Sequence, residues 1–423
     1  MSVPLEPKVE DRLRELGEVD LLVGIPSFNN ARTIGHVVRA AAAGFAKYFP
    51  GRRAVIVNSD GGSSDGTREI VAGADFSSPG RILVSRPLTP VHKIVTPYHG
   101  LPGKGSAFRT IFAIAERLQA KACAVVDSDL RSITPGWIEL LLGPVLEGFD
   151  FVAPLYLRHK YDGTITNSIV YPLTRALYGK EVRQPIGGDF GFSGRVASHY
   201  LSKPVWESDV ARFGIDIWMT TTAIADGFRV CQSFLGAKIH DAKDPGADLA
   251  GMLVQVVSSV FDLMETYGDR WGAVMVAEEV PLFGFPHGVG LDPIHVNVER
   301  MIGILRQGAS DLREVWERAL PPEDLAALAE VAEATPFHFP DPLWVRVVYG
   351  FAAAYRRRTL PRDQLLRSLV PLYLGRTASF VLQTSESGAE DVEHVIRDLA
   401  DEFVRQKAYL VSLWDGDAQV GVR

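Results

Sequence analysis

Four times between residues 20 and 145, an apolar, β-branched run gives way to a cluster of Asn, Asp, Gly or Ser and then to sequence of helical period. The runs are "DLLVGIPS", "RAVIVNSD", "RILVSR" and "ACAVVDSD". The helical stretches are "ARTIGHVVRAAAAGFAKYF", the segment from Thr67, "FRTIFAIAERLQ" and "SITPGWIELLL". Strands buried on both faces read as near-continuous apolar runs, and strands that alternate with helices pair in parallel through crossovers. The expected fold class is therefore α/β, a Rossmann-like, mostly parallel sheet whose ligand sits at the carboxyl ends of its strands. From about Gly246 onward the period is helical, through "DLAGMLVQVVSSVFDLMETY" to "AEDVEHVIRDLADEFVRQKAYLVSLW". This predicts a nucleotide-type α/β domain over 1–250 and a mainly helical C-terminal domain over 251–423. No internal repeat, heptad run or low-complexity linker interrupts either part.

The 423 residues are enough for such a sheet and a helical addition, and 47% hydrophobic with 22% charged residues is a globular composition. A net charge of -7 argues against nucleic acid, whose binders carry basic patches. No apolar stretch approaches the roughly 20 residues of a membrane span, and "MSVPLEPKVEDRLREL" lacks the apolar centre of a signal peptide, so a cytoplasmic protein is expected. Cys123 and Cys231 lie in apolar strand-like runs and read as core residues. The helical tail has more apolar faces than one small domain needs, which points to a homodimer, with packing of those faces within one chain as the alternative.

The chemistry concentrates where strands end. "AVVDSDLRS" sets Asp127, Ser128 and Asp129 directly after a buried strand, and paired carboxylates there suit Mg²⁺ or Mn²⁺, which bind through carboxylates plus substrate phosphates. The competing reading is a capping pair for the next helix. "GIPSFNN" places Pro26, Phe28 and Asn29 where backbone and an aromatic ring can meet a base and ribose, and "NSDGGSSDGT" places Asp60 to accept from a uracil or guanine N–H. Both loops also read as ordinary turns, since Asn, Asp, Gly and Ser form turns for local backbone reasons. "GLPGKGSAFRT" flanks Lys104 with glycines at a helix start, an arrangement that holds a diphosphate, without the spacing of a P-loop. In "QPIGGDFGFSGR", Gly187 and Gly188 let backbone approach a ligand and Asp189 can bind sugar hydroxyls; the alternative is a β-bulge turn. "FGIDIW" sets Asp216 near a helix start, and "GAKIHD" ends a strand at His240, whose imidazole can complete a carboxylate metal site.

Taken in order, "IPSFNN", "SDGGSSDGT", "PGKG", "DSD", "QPIGGD", "GID" and the strand-final His resemble the retaining GT-A glycosyltransferases of the mannosylglycerate synthase and glucosyl-3-phosphoglycerate synthase type over about residues 20–250, and the helical tail resembles the C-terminal domain of the former. The resemblance implies a GT-A-like nucleotide-sugar domain, a divalent metal, Mg²⁺ or Mn²⁺, and a donor such as GDP-mannose, GDP-glucose or UDP-glucose. It implies that Asp129 and His240 bind the metal while Asp127 faces ribose or metal, and that Lys104 serves the donor pocket. Pro26, Phe28 and Asp60 would hold the nucleoside, Gly188 and Asp189 would line the sugar site, and Asp216 would contact donor sugar and acceptor. "RHKYDGTITNSIVYPLTR" resembles the acceptor segment, with Arg158, Thr164 and Thr166 facing the carboxylate of glycerate, 3-phosphoglycerate or glucosylglycerate. Two departures stand out: Asp189 where the relatives carry Glu, and Asp241 where a basic residue often follows the His.

The implied reaction makes a small glycoside, a compatible solute or its precursor, with the acceptor hydroxyl attacking the face that the leaving phosphate vacates. An inverting transferase acting on a lipid or polysaccharide would need a carboxylate base, for which Asp216 is the nominee. A sugar nucleotidyltransferase would place a glycine-rich phosphate loop straight after the first strand, where "GIPSFNN" has none. A nucleotide-sugar-binding regulator would keep the pocket without turnover.

Overall fold

The computed structural model describes residues 3–74, 91–98, 102–212, 214–239, 250–286, 294 and 296–415. The chain opens with α1 (Pro7–Leu16), β1 (Leu21–Ser27), α2 (Ile34–Tyr48), β2 (Ala54–Asp60), α3 (Thr67–Gly73), β3 (Val91–Pro97), α4 (Lys104–Arg117), β4 (Ala122–Val125), α5 (Pro135–Leu146) and β5 (Phe151–Leu157). There follow α6 (Tyr171–Tyr178), β6 (Lys180–Glu181), β7 (Phe190–Ser193), α7 (Gly194–Ser202), α8 (Ile215–Ala225) and β8 (Val230–Ala237). The remainder is α9 (Ala250–Thr266), α10 (Gly268–Trp271), β9 (Glu278–Glu279), β10 (Leu282–Phe283), α11 (Val298–Asp311), α12 (Arg313–Trp316), α13 (Pro322–Glu333), α14 (Asp341–Arg357), α15 (Arg362–Thr384), α16 (Ala389–Arg405) and α17 (Lys407–Asp415).

Two compact units divide these elements. The first comprises Met1–Leu157, Val182–Ala242 and Val280–Gly290, the second Arg158–Glu181, Lys243–Glu279 and Leu291–Arg423. The division is therefore not a single cut near residue 250. Residues 158–181 carry α6, whose apolar face packs on α16, and β10 pairs with β8 at the edge of the sheet, so each excursion follows the surface it buries.

In the first unit eight strands form one sheet in the order β10-β8-β5-β7-β4-β1-β2-β3, parallel except for β7, which runs antiparallel to both β4 and β5. This is the mostly parallel α/β sheet expected from the alternation. β1 and β2 are buried along their whole length, as strands covered on both faces must be. One face holds α2 and α5 over Val23, Ile56, Ala124 and Val152. α4 and α7 cover the other, with Phe112 edge-on to Phe192 at 5.2 Å and beside Tyr200 at 5.5 Å. Close approach dictates two glycines: a Cβ on Gly24 would lie 2.5 Å from Ile111 of α4, and one on Gly191 would lie 2.0 Å from the Leu141 carbonyl oxygen of α5.

The strand expected at "RILVSR" lies outside the described residues. β3, which continues the sheet beyond β2, runs instead over a stretch with no apolar run to mark it, because an edge strand is half-buried and carries His92 and Lys93. The Lys93 ammonium turns onto the Ala72 carbonyl oxygen at 3.0 Å and so closes the end of α3. In "QPIGGDFGFSGR" the turn before Asp189 leads into β7, whose four residues lie between β4 and β5, where glycine at 191 admits α5.

The second unit is helical, with a two-residue ladder between β6 and β9. α11 meets α15 through small residues: a Cβ on Gly375 would lie 2.5 Å from Leu305, and one on Gly308 would lie 2.8 Å from Pro371. Arg376, buried in α15, is paired with Asp341 of α14 at 2.6 Å. Among the described residues no helix is long and apolar enough to cross a membrane. Cys123 and Cys231 are both free and buried, as core residues should be.

Candidate functional site

β1, β2 and β4 are parallel neighbours, so the loops after Ser27, Asp60 and Val126 emerge on one edge of the sheet. Hydrogen bonds lace them together. The Asn29 N–H donates to Ser63 Oγ at 2.8 Å, Ser64 N–H to Asn29 Oδ1 at 3.0 Å, and Ser128 Oγ to Asn30 Oδ1 at 2.8 Å. Asn29 takes the left-handed conformation at φ 55, which Asn tolerates better than most residues.

Asp60 is buried under this lacework. Its Oδ1 accepts from the N–H groups of Gly62 and Ser63 at 2.9 and 2.8 Å, and its Oδ2 from the hydroxyls of Ser27 and Ser63 at 2.8 and 2.6 Å. The carboxylate expected to read a nucleobase is thus spent on shaping its own loop. Pro26 lies within β1 opposite Ser59. What the loops present outward is Phe28, 60% exposed, beside Gly61 and Tyr98: a Cβ at Gly61 would lie 3.2 Å from the Phe28 ring and 3.0 Å from Tyr98 Oη. An exposed ring next to a flat glycine is a stacking face for a planar base.

Lys104 begins α4, and its two glycines have a packing reason. A Cβ on Gly105 would lie 1.9 Å from the Val210 carbonyl oxygen and one on Gly103 2.6 Å from Arg212 Cα, because the turn at Asp209–Ala211 and the residue after it lie against this helix start. The Gly105 N–H donates to the Arg212 carbonyl and the Gly103 N–H to Tyr98 Oη. Those two amides, expected to face a phosphate, are therefore engaged within the protein.

Lys104 Nζ lies 2.8 Å from Asp127 Oδ1, 3.1 Å from Asp216 Oδ1 and 3.3 Å from the Gly188 carbonyl oxygen. On the other side of Asp127, Lys238 Nζ donates to Asp127 Oδ2, Asp189 Oδ2 and the Gly187 carbonyl, each at 2.8 Å. Asp189, wholly buried, also accepts from the Asp127 N–H at 2.7 Å and from the Tyr156 hydroxyl. Asp189 therefore holds the protein together here and is not on display to a sugar, a correction to the role implied by resemblance. Gly188 has φ +93, and a Cβ there would lie 2.5 Å from Asp127 Oδ2.

Burial by itself would lower Lys104, but the carboxylates of Asp127 and Asp216 outweigh it and keep its ammonium more firmly protonated than usual. Burial would likewise raise Asp127, yet Lys104 and Lys238 on either side hold it well below the usual carboxylate range. Asp216 goes the other way: burial pushes it up first, the Asp127 charge adds to this, and Lys104 only partly opposes.

Asp129 sits two residues beyond Asp127, exposed on the same loop, and His240 lies outside the described residues. Ile239, just before it, is tied to that loop, donating to Ser132 Oγ at 2.9 Å and accepting from the Arg131 N–H at 3.1 Å. Among the described residues no three His, Cys, Asp or Glu side chains form a cage for a metal ion. An exposed carboxylate on this edge instead fits a hard cation that draws most of its shell from water and phosphate. Arg158, Thr164 and Thr166 belong to the helical unit. Arg158 approaches Asp162 at 3.7 Å, while Thr164 is buried with its hydroxyl 2.5 Å from that of Tyr373 and Thr166 is buried in a π-helical turn. The Thr164 hydroxyl is thus already used inside its own unit.

Sequence reading did not single out Lys238 or Tyr98. The signal for Lys238, an isolated lysine closing an apolar strand two residues before the His, was present in "GAKIH".

No family model matches this chain, and no curated protein does. Among solved structures it is similar to glucosyl-3-phosphoglycerate synthase from Mycobacterium tuberculosis in complex with Mn²⁺, uridine diphosphate and glucosyl-3-phosphoglycerate, at 20% identity over 60% of this chain and 84% of that one, with a TM-score of 0.44. The complex of that enzyme with Mn²⁺, uridine-diphosphate-glucose and phosphoglyceric acid matches with the same figures. A further structure, described as a mycobacterial protein, matches at 21% identity over 61% of this chain and 78% of that one, with a TM-score of 0.43. Likeness of this extent leaves the chemistry to be read from the chain's own side chains.

Proposed function

We propose that the chain is a metal-dependent glycosyltransferase that moves glucose or mannose from a nucleotide-sugar to a small carboxylate acceptor, with retention at the anomeric carbon. The observation that carries the reading is Lys104 held between Asp127 and Asp216 at the carboxyl edge of a parallel sheet, with Phe28 exposed on the same edge and Asp129 on the loop of Asp127. An aromatic face for a base, a half-buried cation for a diphosphate and carboxylates for sugar hydroxyls are the parts such a donor needs.

Each residue then has one task. Phe28 stacks the base, and the loops around Asn29 and Asp60 hold that ring in place. Lys104 offers a preorganised positive charge where the leaving diphosphate gains negative charge. Asp216, whose carboxyl is held high by burial, keeps a proton more readily than an ordinary Asp and can donate to or accept from a sugar hydroxyl. When bound, a divalent cation held by Asp129 and His240 would add Lewis-acid stabilisation of the same leaving group. The bond from the anomeric carbon to the phosphate oxygen breaks, the bond to the acceptor oxygen forms on the same face, and the acceptor proton passes to the departing phosphate.

The test is a donor panel: UDP-glucose, GDP-glucose, GDP-mannose and ADP-glucose with Mg²⁺ or Mn²⁺, each against glycerate, 3-phosphoglycerate and glucosylglycerate, with products read by NMR. An α-linked product from an α-linked donor supports retention. A β-linked product would make Asp216 a general base, and no transfer with any pair would sink the transferase reading for this acceptor class.

A further inference from the structure

Lys238 is a lysine where burial should forbid one. It is 9% exposed at the end of β8, and its ammonium lies among three oxygens from two separate segments: Asp127 after β4, and the Gly187 carbonyl and Asp189 carboxylate of the turn before β7. The ammonium also lies 5.2 Å from the centre of the Tyr156 ring, on β5, and that residue's hydroxyl bonds Asp189. A buried ion pair stabilises a fold weakly at best, because desolvation cancels most of the attraction, so stability alone does not account for this arrangement.

We propose that Lys238 is a positioning residue: with Asp189 it fixes the rotamer of Asp127 and the Gly187–Gly188 turn, and through them sets where Lys104 presents its ammonium to a nucleoside diphosphate. The geometry is a chain of direct contacts. Lys238 holds Asp127 Oδ2, Asp127 Oδ1 holds Lys104, and Gly188, whose carbonyl accepts from Lys104, directly follows the Gly187 carbonyl that Lys238 grips. The Asp189 carboxylate takes the Asp127 N–H from behind, so backbone and side chain of Asp127 are clamped by the same pair. Without Lys238, Asp127 would be free to turn wholly onto Lys104 and draw its charge away from the ligand. The inference rests on the transferase reading of this cleft.

The test separates positioning from plain stability by comparing full-length wild type with Lys238→Arg, Lys238→Met and the double variant Lys238→Met/Asp189→Asn. Each is measured for thermal midpoint, for kcat and KM with the donor and acceptor found by the panel, and for calorimetric affinity for UDP and GDP with Mn²⁺. Lys238→Met should lower kcat about 10- to 100-fold, the range for partners that orient a functional group without touching substrate. Lys238→Arg should recover most of that loss. The double variant, which removes the buried charge with its counter-charge, should regain the thermal midpoint yet stay as slow as Lys238→Met. Recovery of rate together with stability would overturn the positioning role, as would a Lys238→Met enzyme of normal kcat and nucleotide affinity. If wild type binds nucleotide but transfers nothing, the functional reading fails, and the affinities alone decide: equal binding by wild type and double variant overturns the role of Lys238, and weakened binding upholds it.

Discussion

Adding one methyl group at residue 188 tests the arrangement where backbone crowds Asp127 and Lys238. Gly188 has φ +93, and an alanine Cβ would stand 2.5 Å from Asp127 Oδ2 and 3.0 Å from Lys238 Nζ. A non-glycine residue in the left-handed region costs about 1–2 kcal/mol. To reach the 3.4 Å at which ordinary contact begins, the Asp127 carboxylate must give by about 0.9 Å, an overpacking that costs about 1–3 kcal/mol more. Asp127 cannot withdraw freely, since each oxygen is held by a lysine at 2.8 Å. Gly227 is the matched control in the same unit: its φ is +80, yet nothing lies within 4 Å of a Cβ there. Gly227→Ala should therefore lose only the backbone share, about 1–2 kcal/mol, and keep full turnover. Gly188→Ala should lose about 2–5 kcal/mol and about 100-fold in kcat, the scale of a 1 Å misplacement of a reacting group. Denaturant midpoints of the full chain and kcat for the pair found by the panel measure both. Equal losses of stability and equal activity in the two alanine variants would refute the claim that Asp127 and Lys238 crowd residue 188 for a reason of function.

Removing the ring in Phe28→Ala should raise KM for the nucleotide-sugar about 10-fold, as loss of base stacking does, with an unchanged melt because the ring is mostly exposed; unchanged KM would take the base elsewhere. Asp129→Ala and His240→Ala should each shift the Mn²⁺ dependence of turnover to higher metal with little loss of fold, and a normal metal titration in either would remove that residue from the metal site. Lys407, buried at the start of α17 with its ammonium on the Val274 carbonyl, is drawn down by burial to about 8 from an ordinary 10.5. The unfolded chain then binds more protons between those values, so the stability of the helical unit should rise with pH from about 8 to 10.5. Lys407→Met should abolish that slope and gain about 2 kcal/mol at pH 7; a slope that survives the substitution would refute it.

What the sequence made legible follows from which forces are local. β1, β2 and β4 could be read because a strand covered on both faces must be apolar throughout. β3 could not, because an edge strand is only half-buried and the polar His92 and Lys93 within it break the apolar run. Asp127, Lys104 and Asp216 were each marked by an ionisable residue at the end of an apolar element, and the fold brings all three within hydrogen-bond reach. The roles of Asp60 and Asp189 were harder to foresee: whether a carboxylate in a glycine-rich loop faces a ligand or its own backbone depends on where the next two or three N–H groups point. For Asp60 they point inward. The glycines around Lys104 mislead in a similar way, since the segment that demands them, 209–212, lies a hundred residues further along the chain. Lys238 is the extreme case, for its burial depends on Asp127 and Asp189 closing over it from distant segments.

The charge pattern of the cluster explains why Asp127 and Asp216 are shifted in opposite directions. Three carboxylates share two ammoniums: Asp127 is flanked by both, Asp189 is served by Lys238, and Asp216 by Lys104. Asp127, with a cation on each oxygen, is held strongly ionised, whereas Asp216 must share Lys104 with Asp127 and feels that neighbour's negative charge, so the surplus of the cluster falls on it. The sign follows. A carboxyl raised on folding contributes stability that is complete below its unfolded value and is lost as pH rises through the folded one, so Asp216 is the member whose ionisation the fold resists. A diphosphate drawing on Lys104 would take from Asp216 the counter-charge that keeps it ionised, and the same event would favour proton uptake at Asp216. Donor binding and the protonation of Asp216 are therefore linked through one ammonium, and the carboxyl best placed to donate a hydrogen bond to a sugar oxygen gains its proton as the donor arrives.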